Sequence, residues 1–155
     1  MKAGDIMTNT QVVANTFLYH AFQENIDISP MKLQKLMYFL FREYAKASKN
    51  KLFSEPFEAW AYGPVLPSIY YEFQSYGRRK IDKFAKDAQG NVKILGLKNN
   101  DILKKCFYTI WTRYKFQTGP ELSSITHRPK TAWYIAKENG NPMLNYEDII
   151  NDNEY

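Results

Sequence analysis

The sequence predicts a mainly α-helical fold with a small β element, an α+β domain of about five to seven helices and a short hairpin or sheet. Apolar residues recur at intervals of three and four in several separate segments, which is the spacing of a buried helix face. Helix-start signals such as Ser29-Pro30 precede several of these segments. One short aromatic stretch, residues 57–62, is instead typical of extended chain and ends at Gly63-Pro64.

Length and composition indicate one folded domain. The chain has 155 residues, of which 45% are hydrophobic and 16% aromatic, so it can bury a core and is not a disordered chain. We expect a domain over residues 1–140, followed by a C-terminal helix and acidic tail over residues 141–155. No apolar run reaches the roughly 20 residues of a membrane helix, and the N-terminus lacks a signal-peptide core. The single cysteine fits a reducing compartment, so a cytoplasmic protein without a membrane partner is expected.

The first two helices follow from their apolar stripes and caps. A helix is predicted over residues 11–24, with Thr10 as its cap. The next begins at Ser29, because serine caps a helix and the following proline suits the first helical position. The buried stripe of this second helix contains Leu33, Leu36, Met37, Leu40 and Tyr44. Its basic side chains are expected to face away from the core: Lys32, Lys35, Arg42 and Lys46.

The aromatic stretch EAWAYGPVLPSIYYEF, residues 58–73, is predicted to reverse the chain at a fixed angle. Its glycine permits a positive φ, and a residue that precedes a proline avoids the helical region. Pro67 can then begin a new helix. Trp60, Tyr62 and Tyr70 lie next to this turn, and Trp and Tyr are frequent in interface hot spots. Filling of the core is the alternative role for these three side chains.

The remainder of the chain is predicted to be helical after a basic, irregular segment at residues 78–98. Within this segment, residues 88–94 favour a turn that enters a short strand. The last helix is expected to fray into the acidic tail. Four helices are predicted: from Asn100, from Thr118 with its Glu121 capping box, at residues 131–138, and from Asn145.

The charges are unevenly distributed along the chain, whose formal net charge is +5. Residues 78–137 hold fourteen basic and four acidic side chains, whereas residues 138–155 hold five acidic and no basic ones. A basic middle can bind an anionic partner, either nucleic acid or an acidic protein. It can equally be an ordinary solvated surface that the acidic tail partly neutralises. The sequence leaves both interpretations open.

The sequence contains no catalytic or metal-binding motif. It has two histidines and one cysteine, and neither metal-ligand spacings nor phosphate-binding glycine loops occur. Cys106 lies on a predicted buried stripe, where a cysteine acts as a small hydrophobic residue. His127 is expected to bond the last carbonyls of a short helix, with catalysis and partner contact as alternatives. We therefore predict no enzyme activity, no catalytic residue, no cofactor and no metal.

Three groups of motifs follow one another along the chain. They are KLQKL (residues 32–36) with Tyr38; EAW (58–60) with YGPV (62–65) and Tyr70; and ELS (121–123) with Thr126-His127 and Trp133. Together they resemble the Panacea domain, the SocA-like antitoxin domain formerly grouped as a phage-associated protein family. The resemblance covers about residues 10–140. Arg128-Pro129-Lys130-Thr131 departs from it, because a shorter acidic segment usually joins the Thr-His pair to the tryptophan.

The resemblance implies an antitoxin of a toxin–antitoxin module, which neutralises its cognate toxin by direct protein binding and without catalysis. A homo-oligomer or a hetero-oligomer with the toxin is expected. An acidic toxin would contact the basic segment that starts at Arg78, and a basic toxin the acidic tail over residues 147–154. The positions expected to bind the partner are Trp60, Tyr62, Gly63, Pro64, Val65, Tyr70, Arg78, Arg79, Lys80, Thr126, His127 and Trp133.

Two alternative functions remain. A DNA-binding transcriptional autoregulator of the same operon would use residues 118–125 and 128–138 as a helix-turn-helix, with Arg128, Lys130 and Lys137 at phosphates of the operator DNA. A protein of a phage or mobile element would instead inhibit a host or defence protein.

Overall fold

The structure is a computed structural model that describes residues 8–155, and it has the mainly α-helical architecture with a small β element that the sequence predicts. These residues form seven α-helices and one two-stranded antiparallel hairpin. The elements are α1 (Thr10–Glu24), α2 (Pro30–Ser48), β1 (Glu58–Trp60), β2 (Gly63–Val65), α3 (Pro67–Phe73), α4 (Asp101–Tyr114), α5 (Gly119–Thr126), α6 (Ala132–Glu138) and α7 (Tyr146–Ile150). None of the helices in this part of the chain is long and apolar enough to cross a membrane.

Helix α2 lies at the centre of the fold. It packs against α1, α3, α4, α5 and α7 and against strand β2. Its start follows the predicted signals, because the Ser29 hydroxyl accepts a hydrogen bond from the Lys32 backbone N–H at 3.2 Å and Pro30 is the first helical residue. Thirteen of its nineteen residues are buried, so α2 has almost no solvent-facing stripe.

The prediction that the basic side chains of α2 face away from the core is wrong for three of the four. Lys32, Lys35 and Arg42 are 5%, 1% and 0% exposed. Distant segments supply the oxygens that they need: Lys32 Nζ donates to the Lys115 carbonyl, and Lys35 Nζ donates to the Pro64 carbonyl at 3.0 Å. A buried polar group that finds such a partner is tolerated, so a basic residue type does not by itself indicate a solvent-facing position.

The C-terminal segment is docked on α2, and the predicted fraying does not occur. Arg42 Nη1 donates to Asp152 Oδ1 at 3.2 Å, and the Tyr38 hydroxyl donates to Asp152 Oδ2 at 2.6 Å. Lys46 Nζ donates to the Asp152 backbone carbonyl. Burial and the neighbouring Asp152 carboxylate raise the pKa of Tyr38 well above its ordinary value, so the phenol keeps the proton that it donates. One residue of the acidic tail is therefore part of the core.

The β structure differs from the prediction in two respects. The strand predicted within residues 88–94 is absent from the structure, where this segment is a turn followed by irregular chain. Gly63-Pro64, expected to end an extended segment, lies inside β2. The two strands of the hairpin are instead both formed by residues 58–65.

The register of the hairpin explains why a proline fits inside β2. Ala59 lies opposite Pro64. The Ala59 N–H points away from β2 and donates to the Pro142 carbonyl at 2.8 Å, while the Pro64 carbonyl points away from β1 to Lys35 Nζ. Paired residues that direct their backbone groups outward exchange no hydrogen bonds, so the missing N–H of the proline costs nothing here.

Five side chains from the helices hold the hairpin through its backbone carbonyls. We call these side chains, Gln34, Lys35, Ser123, His127 and Trp133, the hairpin clamp. The bonds are Gln34 Nε2 to Leu66 O (3.0 Å), Lys35 Nζ to Pro64 O (3.0 Å), Ser123 Oγ to Tyr62 O (2.6 Å), His127 Nε2 to Ala61 O (2.9 Å) and Trp133 Nε1 to Trp60 O (2.7 Å). Because α2, α5, α6 and the residue after α5 all contribute, the hairpin is fixed relative to the helices.

Gly63 allows the hairpin to lie close to the clamp. Its φ is +116°, in the region that L side chains rarely adopt. A Cβ atom at this position would lie 2.7 Å from Thr126 Oγ1 and 2.9 Å from Lys35 Cε. Both the backbone conformation and the available space therefore require glycine.

Lys35 is a buried amine without a carboxylate partner. No carboxylate among residues 8–155 lies within salt-bridge distance of its Nζ. Burial lowers the pKa of Lys35 to about 7. Near neutral pH a large share of the molecules therefore carry this side chain as the neutral amine.

Replacing Asp152 with asparagine is expected to lower the free energy of unfolding by about 3 kcal/mol, because the buried Arg42 guanidinium loses its carboxylate. Urea denaturation measures this change. Glu147→Gln removes the same charge from an exposed position of the same segment and should cost no more than about 0.5 kcal/mol. Equal unfolding midpoints for the two variants would show that the pairing of Arg42 with Asp152 contributes nothing to stability.

Gly63→Ala is expected to be more destabilising than Gly90→Ala. Both residues have a positive φ, but a Cβ at Gly90 meets no atom within 4 Å. Gly90→Ala should therefore lower the free energy of unfolding only by the backbone strain, about 1–3 kcal/mol. Gly63→Ala should cause a similar backbone strain and must also displace the side chains of Thr126 and Lys35, so its loss should be larger. Thermal unfolding of the two variants measures the difference, and equal losses would contradict the close approach.

Lys35→Met is expected to change how stability depends on pH. Between about pH 7 and pH 10 the unfolded chain binds the lysine proton and the folded chain releases it, so this group makes the wild type more stable as pH rises. The slope is at most about 1.4 kcal/mol per pH unit. Methionine cannot titrate, so the free energy of unfolding of the wild type should rise relative to that of the variant from about pH 7 to pH 9. A difference that stays constant with pH would refute a depressed pKa.

Candidate partner-binding site

His127 is fixed between α5 and the hairpin. Its Nδ1 lies 2.6 Å from the Ser123 carbonyl oxygen, which agrees with the predicted bonding to the last carbonyls of this helix. Its Nε2 lies 2.9 Å from the Ala61 carbonyl oxygen. The ring packs against Trp133, with 3.9 Å between the ring centroids. Both ring nitrogens are thus directed at backbone carbonyl oxygens, so neither points to a position that a substrate could occupy.

Aromatic side chains around the hairpin turn are exposed. Tyr62, which lies between β1 and β2, is 69% exposed, and Tyr71 is 63% exposed. Trp60 is half-buried, with its ring 4.9 Å from that of Tyr70, and its Nε1 donates to Glu58 Oε1 at 2.8 Å. The three aromatic residues predicted at the turn thus lie at the surface, where such side chains supply much of the energy of protein interfaces.

Four other positions that the sequence predicts at the interface are buried. They are Gly63, Pro64, Val65 and Thr126. Trp133 is half-buried behind the His127 ring. These residues set the position of the hairpin, whereas the side chain of Tyr62 is exposed to solvent.

A groove of about 950 Å³ runs between the hairpin turn and α5, and we call it the main groove. The N-terminal end of α2 and the chain after α3 complete its walls. No acidic residue contributes to its lining. The lining includes the apolar parts of Met31, Tyr62 and Pro120 and the basic side chains of Arg78, His127 and Arg128.

The fold separates the three consecutive basic residues that the sequence predicts at the interface. Arg78 lines the main groove and also an adjacent groove of about 590 Å³, which we call the second groove. Lys80 lines the second groove only. Arg79 lines neither, and its guanidinium donates to the Ser75 carbonyl at 3.0 Å. Of the three, Arg78 alone shares the main groove with Tyr62.

Several residues of this surface are not identified by the sequence analysis. Met31 and Pro120 belong to helices far apart in the chain, and only the packing of α5 against α2 brings them together. Phe116 lines the second groove and is 81% exposed. The sequence gives one indication that Phe116 is exposed: it stands between two polar residues, Lys115 and Gln117, which are rarely buried.

The remaining candidates for chemistry are the cysteine and the possible metal ligands of the described residues. Cys106 is buried, as predicted, and burial raises its pKa to about 11, so the thiol is protonated near neutral pH. Across residues 8–155, no three His, Cys, Asp or Glu side chains lie close enough together to hold a metal ion.

Comparison with known proteins agrees with the motifs. The profile of the family described as "Antitoxin SocA-like, Panacea domain" matches residues 33–134, a span that contains all five residues of the hairpin clamp. A curated relative, Antitoxin SocA of Caulobacter vibrioides (strain NA1000 / CB15N), is 37% identical over 73 residues, which are 47% of this chain and 39% of the relative. No solved structure gives a significant match. The chain belongs to the SocA-like antitoxin family and contains its Panacea domain.

Proposed function

We propose that this protein is the antitoxin of a toxin–antitoxin module and that it neutralises its cognate toxin by binding it directly. The family and the name of the relative, Antitoxin SocA, support the antitoxin role. The observation that carries direct binding is the rigid support of the hairpin, which holds an exposed Tyr62 beside the main groove. A contact surface that is already ordered loses little conformational entropy on association.

The chemistry of the described residues supports binding rather than catalysis. A nucleophilic enzyme needs an activated nucleophile next to a base that can accept its proton. Both nitrogens of His127 face backbone carbonyls, and Cys106 is buried and protonated. The surface around the groove offers aromatic and arginine side chains, which are the residue types enriched at interface hot spots.

The DNA-binding alternative has less support. The segment from α5 to α6 would have to place basic side chains at phosphates. Arg128 instead donates to the Tyr155 carbonyl at 3.1 Å and lies 3.9 Å from the Glu154 carboxylate. Helix α6 carries the acidic Glu138 directly after Lys137. The second alternative is a protein that inhibits a host or defence protein. It would bind through the same kind of surface as an antitoxin, and only the identity of its partner would differ.

Co-expression with the neighbouring gene tests the proposal. We expect the neighbour alone to arrest growth, the pair of genes to restore it, and the two proteins to co-purify as a complex. Growth restored without any complex would contradict direct binding and would indicate regulation or degradation of the toxin.

Tyr62→Ser is expected to weaken the complex about tenfold or more, because a partly exposed tyrosine beside a groove is a typical anchor of an interface. The hairpin should remain in place, since the clamp contacts Tyr62 through its backbone carbonyl. Tyr108→Ser, on the outer face of α4, is the matched control and should leave the affinity within about twofold. Titration calorimetry with the purified toxin measures both variants, and equal affinities would remove Tyr62 from the interface.

A further inference from the structure

We propose that the main groove binds an acidic segment of the toxin, which places an apolar side chain against Met31 and Pro120 and a carboxylate on Arg78. This inference rests on the proposed function, and it adds the chemistry of the contact. It follows from the charge of the groove, the nature of its walls and the pairing of the cations around it.

The charge of the main groove favours a carboxylate. Arg78 and Arg128 line it and no acidic residue does. Arg128 is already bonded to the Tyr155 carbonyl and lies close to the Glu154 carboxylate, which leaves Arg78 as the cation that a carboxylate of the partner can pair with. Arg78 is exposed, and no carboxylate of residues 8–155 lies within salt-bridge distance of it. A guanidinium forms two parallel hydrogen bonds with a carboxylate, so an unpaired arginine at the edge of a groove is suited to an Asp or Glu side chain.

The walls of the main groove favour an occupant that is also partly apolar. Met31, Tyr62 and Pro120 present hydrocarbon and ring surface to it. Methionine adapts its shape to the group that it contacts, and tyrosine combines a large apolar face with a polar end. An acidic peptide segment with one apolar or aromatic residue meets both the charge and the surface of this groove.

The pairing of the nearby cations favours a protein over a nucleic acid. A phosphate backbone is bound by several unpaired cations along a path. In the second groove, however, Lys32 Nζ already donates to the Lys115 carbonyl, and Lys115 Nζ lies 2.8 Å from Glu24 Oε1. Asp27 also lines this groove, where it repels phosphate. Of the cations that line this groove, only Arg78 and Lys80 form neither an ion pair nor a side-chain hydrogen bond with the described residues, which is too few for a strand of phosphates.

The C-terminal segment of this chain does not compete for the main groove. None of its residues lines this groove. Asp152 pairs with Arg42, and the Tyr155 carbonyl accepts a hydrogen bond from Arg128. Acidic side chains of a second molecule of this protein could occupy the groove instead of those of the toxin. Measuring whether the purified protein is a monomer or a dimer distinguishes these two occupants.

The test compares Arg78→Glu with Arg79→Glu. Both variants change the net charge by the same amount at neighbouring exposed positions, but only Arg78 lines the grooves. We expect Arg78→Glu to weaken binding of the purified neighbour-encoded toxin at least tenfold in calorimetry, and Arg79→Glu to weaken it less than about threefold. Replacing one acidic residue of the toxin with lysine should restore the affinity of Arg78→Glu.

The possible results separate the two proposals. If the wild type neutralises the toxin and Arg78→Glu binds it equally well, the acidic contact is wrong and the antitoxin role stands. If Arg78→Glu and Arg79→Glu lose the same amount of affinity for the toxin, the effect comes from the overall charge of this region. That result would also overturn the proposed contact at Arg78. If the wild type fails to bind the toxin, both proposals fall. If the wild type binds a labelled single-stranded oligonucleotide and Arg78→Glu does not, the groove binds nucleic acid and the proposal is wrong. If the wild type forms a dimer and Arg78→Glu does not, the occupant is a second copy of this protein and the proposal is also wrong.

Discussion

The position of the hairpin depends on hydrogen bonds that helical side chains donate to its backbone carbonyls. Two strands of three residues each are too short to be stable alone, and their outward carbonyls need partners once buried. The clamp supplies those partners from residues far away in the chain, for example from Lys35 to Pro64 and from Trp133 to Trp60. This explains why the family motifs on α2, α5 and α6 lie far apart in the chain: they meet at the hairpin that the EAW and YGPV motifs form. Any change that moves the helices apart removes several of these bonds together.

Two buried cations on α2 are accommodated in different ways, and the difference follows from their chemistry. The guanidinium of Arg42 stays charged at any ordinary pH, and it lies beside the Asp152 carboxylate. The amine of Lys35 can release its proton, and it is bonded to a neutral carbonyl of the hairpin. Burial lowers the pKa of Lys35 to about 7, which limits the cost of leaving this group without a counter-charge. A lysine is thus tolerated in the clamp where an arginine would require another acid.

Local signals were sufficient to predict most helices, although Asn9 caps α1 where Thr10 was predicted to do so. Long-range contacts account for the errors in burial. Ser29 and the pair Thr118 and Glu121 cap their helices as predicted, because capping involves residues within one turn. The exposure of Lys35 was mispredicted because its partner is a carbonyl in the hairpin, which helical periodicity cannot indicate. The aromatic residues of the candidate site were predicted from their position beside the Gly-Pro turn. The main groove was not predicted from the sequence. Its walls come from α2, the hairpin, α5 and the chain after α3, and these segments come together only in the folded protein.

The clamp also separates the residues that hold the surface from those proposed to contact a partner. At Trp60, Ala61 and Tyr62 the clamp binds carbonyl oxygens, which every residue type possesses. The side chain of Tyr62 points into solvent and carries none of these bonds. A substitution at this position therefore alters the surface offered to a partner while the hairpin keeps its support. The same holds for Arg78, which is exposed and makes no ion pair with the described residues. Substitutions of such exposed side chains can therefore change the binding surface at little cost in stability. A protein that inhibits by binding needs this property if it is to adapt to a different partner.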